Sequence, residues 1–176
     1  DLVHHLVANA HDDLAVVSGH DLVQTLAHAR PYIGQAAAMI AAAYRFFPKG
    51  TLHVMVVDPG VGGHRDIVFA QAQSCGCLCP GNGLLSGLIA RNILHTAWRV
   101  TNRELFAPTV STTFHGRDIM APVAGFLASG GHPEKLGPRK AIADLAIPWY
   151  ENILNNIGLD PEENEKQTIA TLRAQV

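Results

Sequence analysis

Apolar residues along the chain fall into short blocks separated by glycine, proline and polar residues, and the blocks are of two kinds. Thr51 to Val57 (TLHVMVV) is almost continuously apolar, rich in Val, and bounded by Gly50 on one side and Asp58-Pro-Gly60 on the other. That pattern predicts an interior strand of a sheet covered on both faces. Ile67 to Ala72 and Cys75 to Cys79 predict two more strands around a Gln73-Ser74 turn, and Thr96 to Val100 a short one. Gly34 to Phe47 predicts a helix, Ala-rich and then aromatic, stopped by Pro48-Lys-Gly50. Asn82 to Asn92 and about Asp118 to Leu127 predict two further helices, the second ended by Gly130-Gly131. Leu14-Ala-Val-Val17 and Leu22 to Leu26 fit either a short strand or part of a helix. A last strand-like stretch lies near Ile142 to Ile147. Beyond Pro148 the composition shifts, and Asp160 to Val176 reads as a charged, solvated terminal helix.

Alternating strands and helices imply an α/β fold: a layered, mainly parallel sheet flanked by helices. One domain is expected over residues 1–147, with a divergent segment over 148–176. In such folds the functional loops leave the C-terminal ends of strands. Asp58-Pro-Gly-Val-Gly follows one such end.

Composition narrows the function classes. With 48% hydrophobic and 16% charged residues among 176, the chain has enough apolar content for one packed core and too much for a disordered chain. A formal net charge of −2 leaves no basic excess to hold nucleic acid or an anionic membrane surface. The apolar run from Ile33 to Ala43 is too short to span a bilayer and is closed by Tyr44-Arg45. No signal peptide is expected, because the start carries His4, His5 and His11 and no basic flank. The chain opens at Asp1 without an initiator Met, as a fragment or trimmed chain would. Three cysteines, Cys75, Cys77 and Cys79, form an odd and tightly clustered set, which suits a reducing, cytoplasmic compartment better than a disulfide framework. In a strand their period of two puts all three thiols on one face. Three thiols with no clear fourth ligand make a weak metal site, so no metal is expected there.

Three constellations could carry chemistry. Asp58-Pro-Gly-Val-Gly-Gly-His-Arg65 places a carboxylate at the end of a buried strand. Glycines let the backbone approach a ligand closely, and Arg65 brings a fixed positive charge back. By itself the segment also reads as a structural Pro-Gly turn with a surface Arg. Ser111-Thr-Thr-Phe-His-Gly-Arg-Asp118 precedes a helix, with Asp118 placed to cap it or to meet its positive end, and His115 at the junction. By itself it reads as a satisfied His and a local Arg117–Asp118 pair. Cys79-Pro-Gly-Asn-Gly-Leu-Leu85 reads as a turn followed by a helix start.

Taken together, FPKGTLHVMVVDPGVGGHR, PGNGLL, Val100-Thr-Asn102, STTFHGRDIMAPVAGFLASG and Leu136-Gly-Pro138 resemble, in order and spacing, the SAM hydroxide adenosyltransferases, or S-adenosylmethionine hydrolases. These are related to the SAM-dependent fluorinase and chlorinase. The resemblance runs from about Tyr44 to Pro138. It implies hydrolysis of SAM to adenosine and L-methionine by water or hydroxide attack on the ribose C5′, with SAM as substrate and no cofactor. It also implies a homotrimer with sites between subunits. The family's catalytic Asp-Arg-His set falls on Asp58, Arg65 and His115, and the resemblance implies substrate contacts at Asn82, Ser111 and Asp1. Halogenases of this fold do not keep the Arg and His pair, so water is favoured over halide.

The ends depart from the family pattern. Its N-terminal substrate-binding motifs are represented only by Asp1-Leu2, Ala27-His28 and Arg30-Pro-Tyr32, and Gly81 stands where the family often has Asp. Of its C-terminal β domain, which contacts adenine, Glu151-Asn-Ile-Leu-Asn-Asn-Ile157 is at best a remnant. A catalytically silent SAM- or adenosine-binding or assembly protein on the same core is therefore the alternative to a hydrolase.

Overall fold

The computed structural model describes residues 14–17, 32–58 and 60–146. Asp1, Leu22 to Leu26, the segment 148–176 and the domain boundary expected before it lie outside the described residues. Among the described residues, six strands form one sheet in the order β1-β2-β4-β3-β5-β6. They are β1 (Leu14–Val17), β2 (Thr51–Met55), β3 (Ile67–Ala72), β4 (Cys75–Pro80), β5 (Leu94–Arg99) and β6 (Arg139–Lys140). Helix α1 (Tyr32–Ala43) precedes β2, α2 (Ser86–Ala90) follows β4, and α3 (Ala121–Ala128) continues from a π-helical turn at Gly116–Met120.

The sheet is mixed, which corrects the expectation of a mainly parallel one. β2 runs parallel to β1 and β4. β3 is antiparallel to both β4 and β5, and β5 is antiparallel to β6. The cause is local: only Gln73 and Ser74 join β3 to β4, and so short a link can only reverse the chain, whereas a parallel pair needs a crossover. β2 is the interior strand that its apolar run predicts, hydrogen-bonded on both edges and buried throughout, but it ends at Met55, two residues short of the expected Val57, and Val56 is exposed. Two other elements differ from expectation. The helix after β4 is confined to Ser86–Ala90, because Pro80-Gly-Asn-Gly83 is spent on a turn. Ile142–Leu145 is a 3-10 turn, and the strand in that region is the shorter Arg139–Lys140.

Two apolar layers sandwich the sheet. On one face Met55, Val68, Ala70 and the three cysteines meet Ile40 and Ala41 of α1 and Leu88 of α2. On the other, Leu52, Val54, Phe69, Leu78 and Trp98 meet Val123 and Ala124 of α3. The cysteines are free, buried and share one face, as their spacing predicts. Burial pushes the Cys79 thiol up. The Cys77 thiol is also pushed up, and its hydrogen bond, with His53 acting in the same direction, draws Cys75 down to about 5. His53 of β2 is fully buried, its ring edge-on to Phe47 at 5.0 Å, and neither nitrogen has a hydrogen-bond partner among the described residues. Among the described residues no three His, Cys, Asp or Glu side chains are grouped to hold a metal ion. Nor is any described helix long and apolar enough to cross a membrane.

Leu78 tests this architecture. It is fully buried in β4, between β2 and β3 and under α3. Leu78→Ala should cost about 2–5 kcal/mol in urea unfolding followed by circular dichroism. A cost well below about 1 kcal/mol would mean that β4 is not central.

Candidate functional site

The site is assembled where strands β2 and β4 end and α3 begins. β2 delivers Asp58, whose side chain is only 10% exposed. Its Oδ1 accepts from Arg65 Nη1 at 2.9 Å and from the Gly60 N–H at 3.3 Å. The loop closes on itself through Val61 N–H to Asp58 O and Gly63 N–H to Gly60 O, both 3.1 Å. Two glycines are there for space. A Cβ at Gly60 would lie 1.7 Å from Arg65 Nη2, so the guanidinium passes directly over that residue. Gly62 has φ +82°, and a Cβ there would stand 2.4 Å from the Thr112 carbonyl oxygen. The first constellation is thus pressed against the second.

Residues 111–118 form a loop whose ends are tied by one carboxylate. Asp118, buried, accepts from the Ser111 N–H at 2.8 Å and from Arg117 Nε at 2.6 Å and Nη2 at 3.2 Å. It sits in the first helical turn, as its position suggests, but its carboxylate reaches back to Ser111 and does not cap the helix. Arg117 lies over the Phe114 ring, 4.8 Å from its centroid. The hydrogen bonds from Arg117, and then from Ser111, hold the Asp118 carboxyl below its ordinary range. So tied, the loop turns His115 and Thr113 toward Asp58.

Between the two loops is a cleft of about 170 Å³. Asp58, Thr113 and His115 supply polar atoms to its wall, and Val56, Ile67 and Met120 supply apolar surface. Asp58 and Arg65 are therefore in direct contact, and Asp58 and His115 share the cleft. Among the described residues no hydrogen bond joins His115 to either partner. Ser111 is close by, but its Oγ is engaged with Thr113, 3.2 Å from Oγ1 and accepting from the N–H. Asn82 is buried behind the site, its Nδ2 donating to the Val57 carbonyl at 2.8 Å. Neither lines the cleft. Asp1 is outside the described residues. The sequence reading did not single out Thr113 as a wall residue or Asp118 as the tie of its loop. The polar run Ser111-Thr-Thr113 beside His115 is the signal that could have pointed to Thr113.

The family model for the SAM hydroxide adenosyltransferase N-terminal domain matches residues 6–137. A protein of Salinispora tropica called (R)-S-adenosyl-L-methionine hydrolase is 38% identical over 135 residues, covering 75% of this chain and 51% of that one. One of the same name from Thermus thermophilus is 38% identical over 134 residues, covering 70% and 52%. Among solved structures, an uncharacterized conserved protein of Thermotoga maritima superposes with a TM-score of 0.59 at 35% identity, over 62% of this chain and 43% of that one. The chain spans about half the length of the curated relatives it matches.

Asp118 makes the acid stability of the site testable. A carboxyl held below its unfolded value of about 4 contributes stability that is complete above that pH. The contribution is lost as the pH falls through the folded value. Urea midpoints should therefore fall less between about pH 5 and about pH 2 in Asp118→Asn than in the wild type. Parallel pH curves for the two proteins would refute the tie.

Proposed function

Because the chain belongs to the SAM hydroxide adenosyltransferase family, matching its N-terminal domain, we propose that it hydrolyses S-adenosyl-L-methionine to adenosine and L-methionine. The observation that carries this reading is the Asp58–Arg65 ion pair at a cleft that His115 also lines.

In this mechanism a water in the cleft attacks C5′ of the ribose. The new bond is O–C5′; the bond broken is C5′–S, whose electron pair returns to the sulfonium sulfur as methionine leaves. His115 accepts the proton that the water gives up, so SAM and water become adenosine, methionine and one proton. A His is suited to this, its ordinary pKa being near neutrality. Arg65, steered by Asp58, stabilises the developing hydroxide. The apolar surface of Val56, Ile67 and Met120 lowers the polarity around the reacting centre, which favours a step that annihilates charge once SAM covers the cleft. At about 170 Å³ the cleft is smaller than the roughly 300–1,000 Å³ of pockets that enclose a ligand of this size. It therefore houses the reacting centre, and the adenine and methionine ends of SAM are held by surfaces beyond these loops. A homotrimer with sites between subunits, as the resemblance implies, would provide such surfaces. Free, buried thiols fit the reducing cytoplasm.

The silent-binder reading draws on the same cleft size: walls missing from half the pocket would leave binding without turnover. Arg65 and His115 both stand at the site, which weighs against halide as the nucleophile.

Chromatography of the purified protein incubated with SAM should reveal adenosine and methionine in equal amounts. His115→Ala should lower the rate by roughly two to four orders of magnitude. Arg65→Lys should also be damaging, because a flexible ammonium does not reproduce the planar guanidinium held over Gly60. Full activity in His115→Ala would defeat the mechanism. A wild type that binds SAM or adenosine without cleaving it would establish the binding protein instead. Light scattering is expected to give a trimer mass, and a clean monomer at high concentration would remove the shared site.

A further inference from the structure

The turn after β4 touches the catalytic loop at two points that the proposed chemistry does not use, and at one of them Asn82, for which the resemblance implies a substrate contact, is bonded to the loop instead. The Gly81 N–H donates to the Asp66 carbonyl at 2.8 Å, and Asn82 Nδ2 donates to the Val57 carbonyl at 2.8 Å. Val57 and Asp66 are the residues immediately before and after the loop that runs from Asp58 to Arg65. Two consecutive residues of one turn therefore hold both stems of that loop. Among the described residues the loop's other hydrogen bonds, from Gly60, Val61 and Gly63, are local, and Asp66 is held further by Arg99 at 3.0 Å and Lys140 at 3.1 Å, so the Asn82 amide matters most on the Val57 side.

Asn82 itself is 6% exposed and does not line the cleft, so it acts through the residue next to Asp58. Its other polar atom is informative. Oδ1 is buried with no hydrogen-bond partner among the described residues. An unpaired buried acceptor is destabilising, and an apolar side chain of the same shape would avoid it. A Leu here would remove the unpaired acceptor but leave the Val57 carbonyl without its donor, so the two effects on stability oppose each other; what Asn adds is that donor.

We propose that Asn82 is a positioning residue, whose amide clamps the Val57 stem while Gly81 holds the Asp66 stem, fixing how Asp58 faces the cleft and how Arg65 is seated against it. Its kinetic consequence rests on the hydrolase reading; its structural consequence does not.

The test compares the wild type with Asn82→Leu, which keeps the branched shape and removes the donor, and with Asn82→Ala as a second variant. Three quantities are read: the thermal midpoint, kcat and KM for SAM, and the Arg65 Nε–H signal in nitrogen-edited NMR. In Asn82→Leu the protein should stay folded with a midpoint close to wild type. Its kcat should fall roughly 100-fold, the scale of a misplacement of about 1 Å in a catalytic group. Its KM should change little, because SAM is not the partner lost. The Arg65 Nε–H signal should shift and exchange faster as the guanidinium loses its fixed seat against Asp58. A raised KM with kcat preserved would overturn the proposal and make Asn82 a substrate contact. Unfolding of both variants would overturn it in favour of a purely structural amide. An unchanged Arg65 signal in a folded variant would also overturn it. If the wild type releases no adenosine, the hydrolase reading fails, and the Arg65 signal still decides the role of Asn82.

Discussion

β2 has no free side. Parallel neighbours take its hydrogen bonds on both edges, and apolar layers cover both of its faces. A strand held this way cannot slide by one residue without turning its whole buried set to the wrong layer. Its exit at Met55 is consequently fixed, and with it the direction in which the chain presents Asp58. Everything polar at the site is built outward from that exit. The loop returns Arg65 to Asp58, the turn after β4 braces the loop, and Thr112 packs against Gly62.

Two of the charged pairs at this edge, Asp58–Arg65 and Asp118–Arg117, differ in kind. Asp58 lines a cleft and its partner Arg65 leaves a guanidinium about a third exposed, so the pair keeps access to solvent and to whatever enters. Asp118 is sealed, and its carboxylate is consumed by a backbone N–H and a neighbouring Arg. One carboxylate is arranged to act on a neighbouring group, the other to hold a loop shut.

The legible part of the fold was what one residue's neighbours decide. The apolar run of β2, the Gln73-Ser74 turn and the Ala-rich α1 all stand where their local patterns put them. The four residues of β1 are too few to distinguish strand from helix, and pairing with β2 settles them. Strand order was not legible: alternation of elements suggested parallel neighbours, whereas β3 is sandwiched antiparallel between β4 and β5. Ile142–Leu145 has strand composition, yet beyond the short β6 it turns as a 3-10 segment and buries Leu145. At the site, no spacing rule relates Asp58 to His115, and only family resemblance linked them before the fold did. The bond from Asn82 spans 25 positions between a side chain and a carbonyl, a contact with no sequence signature.

The π-helical turn at Gly116–Met120 sets the phase between His115 and α3. Such a turn accommodates one residue more than an α-helical register would, and the excess is trapped between two fixed points. On one side α3 is locked by Val123 and Ala124 in the core; on the other the loop is locked by Asp118 and Ser111. Winding the same residues in an α register would instead rotate everything before the turn by about 100° relative to α3. The imidazole would then be swept off the cleft while the sheet stayed intact. The winding of this short stretch is consequently as much a part of the site as any side chain, because it sets the direction of His115 without touching substrate itself.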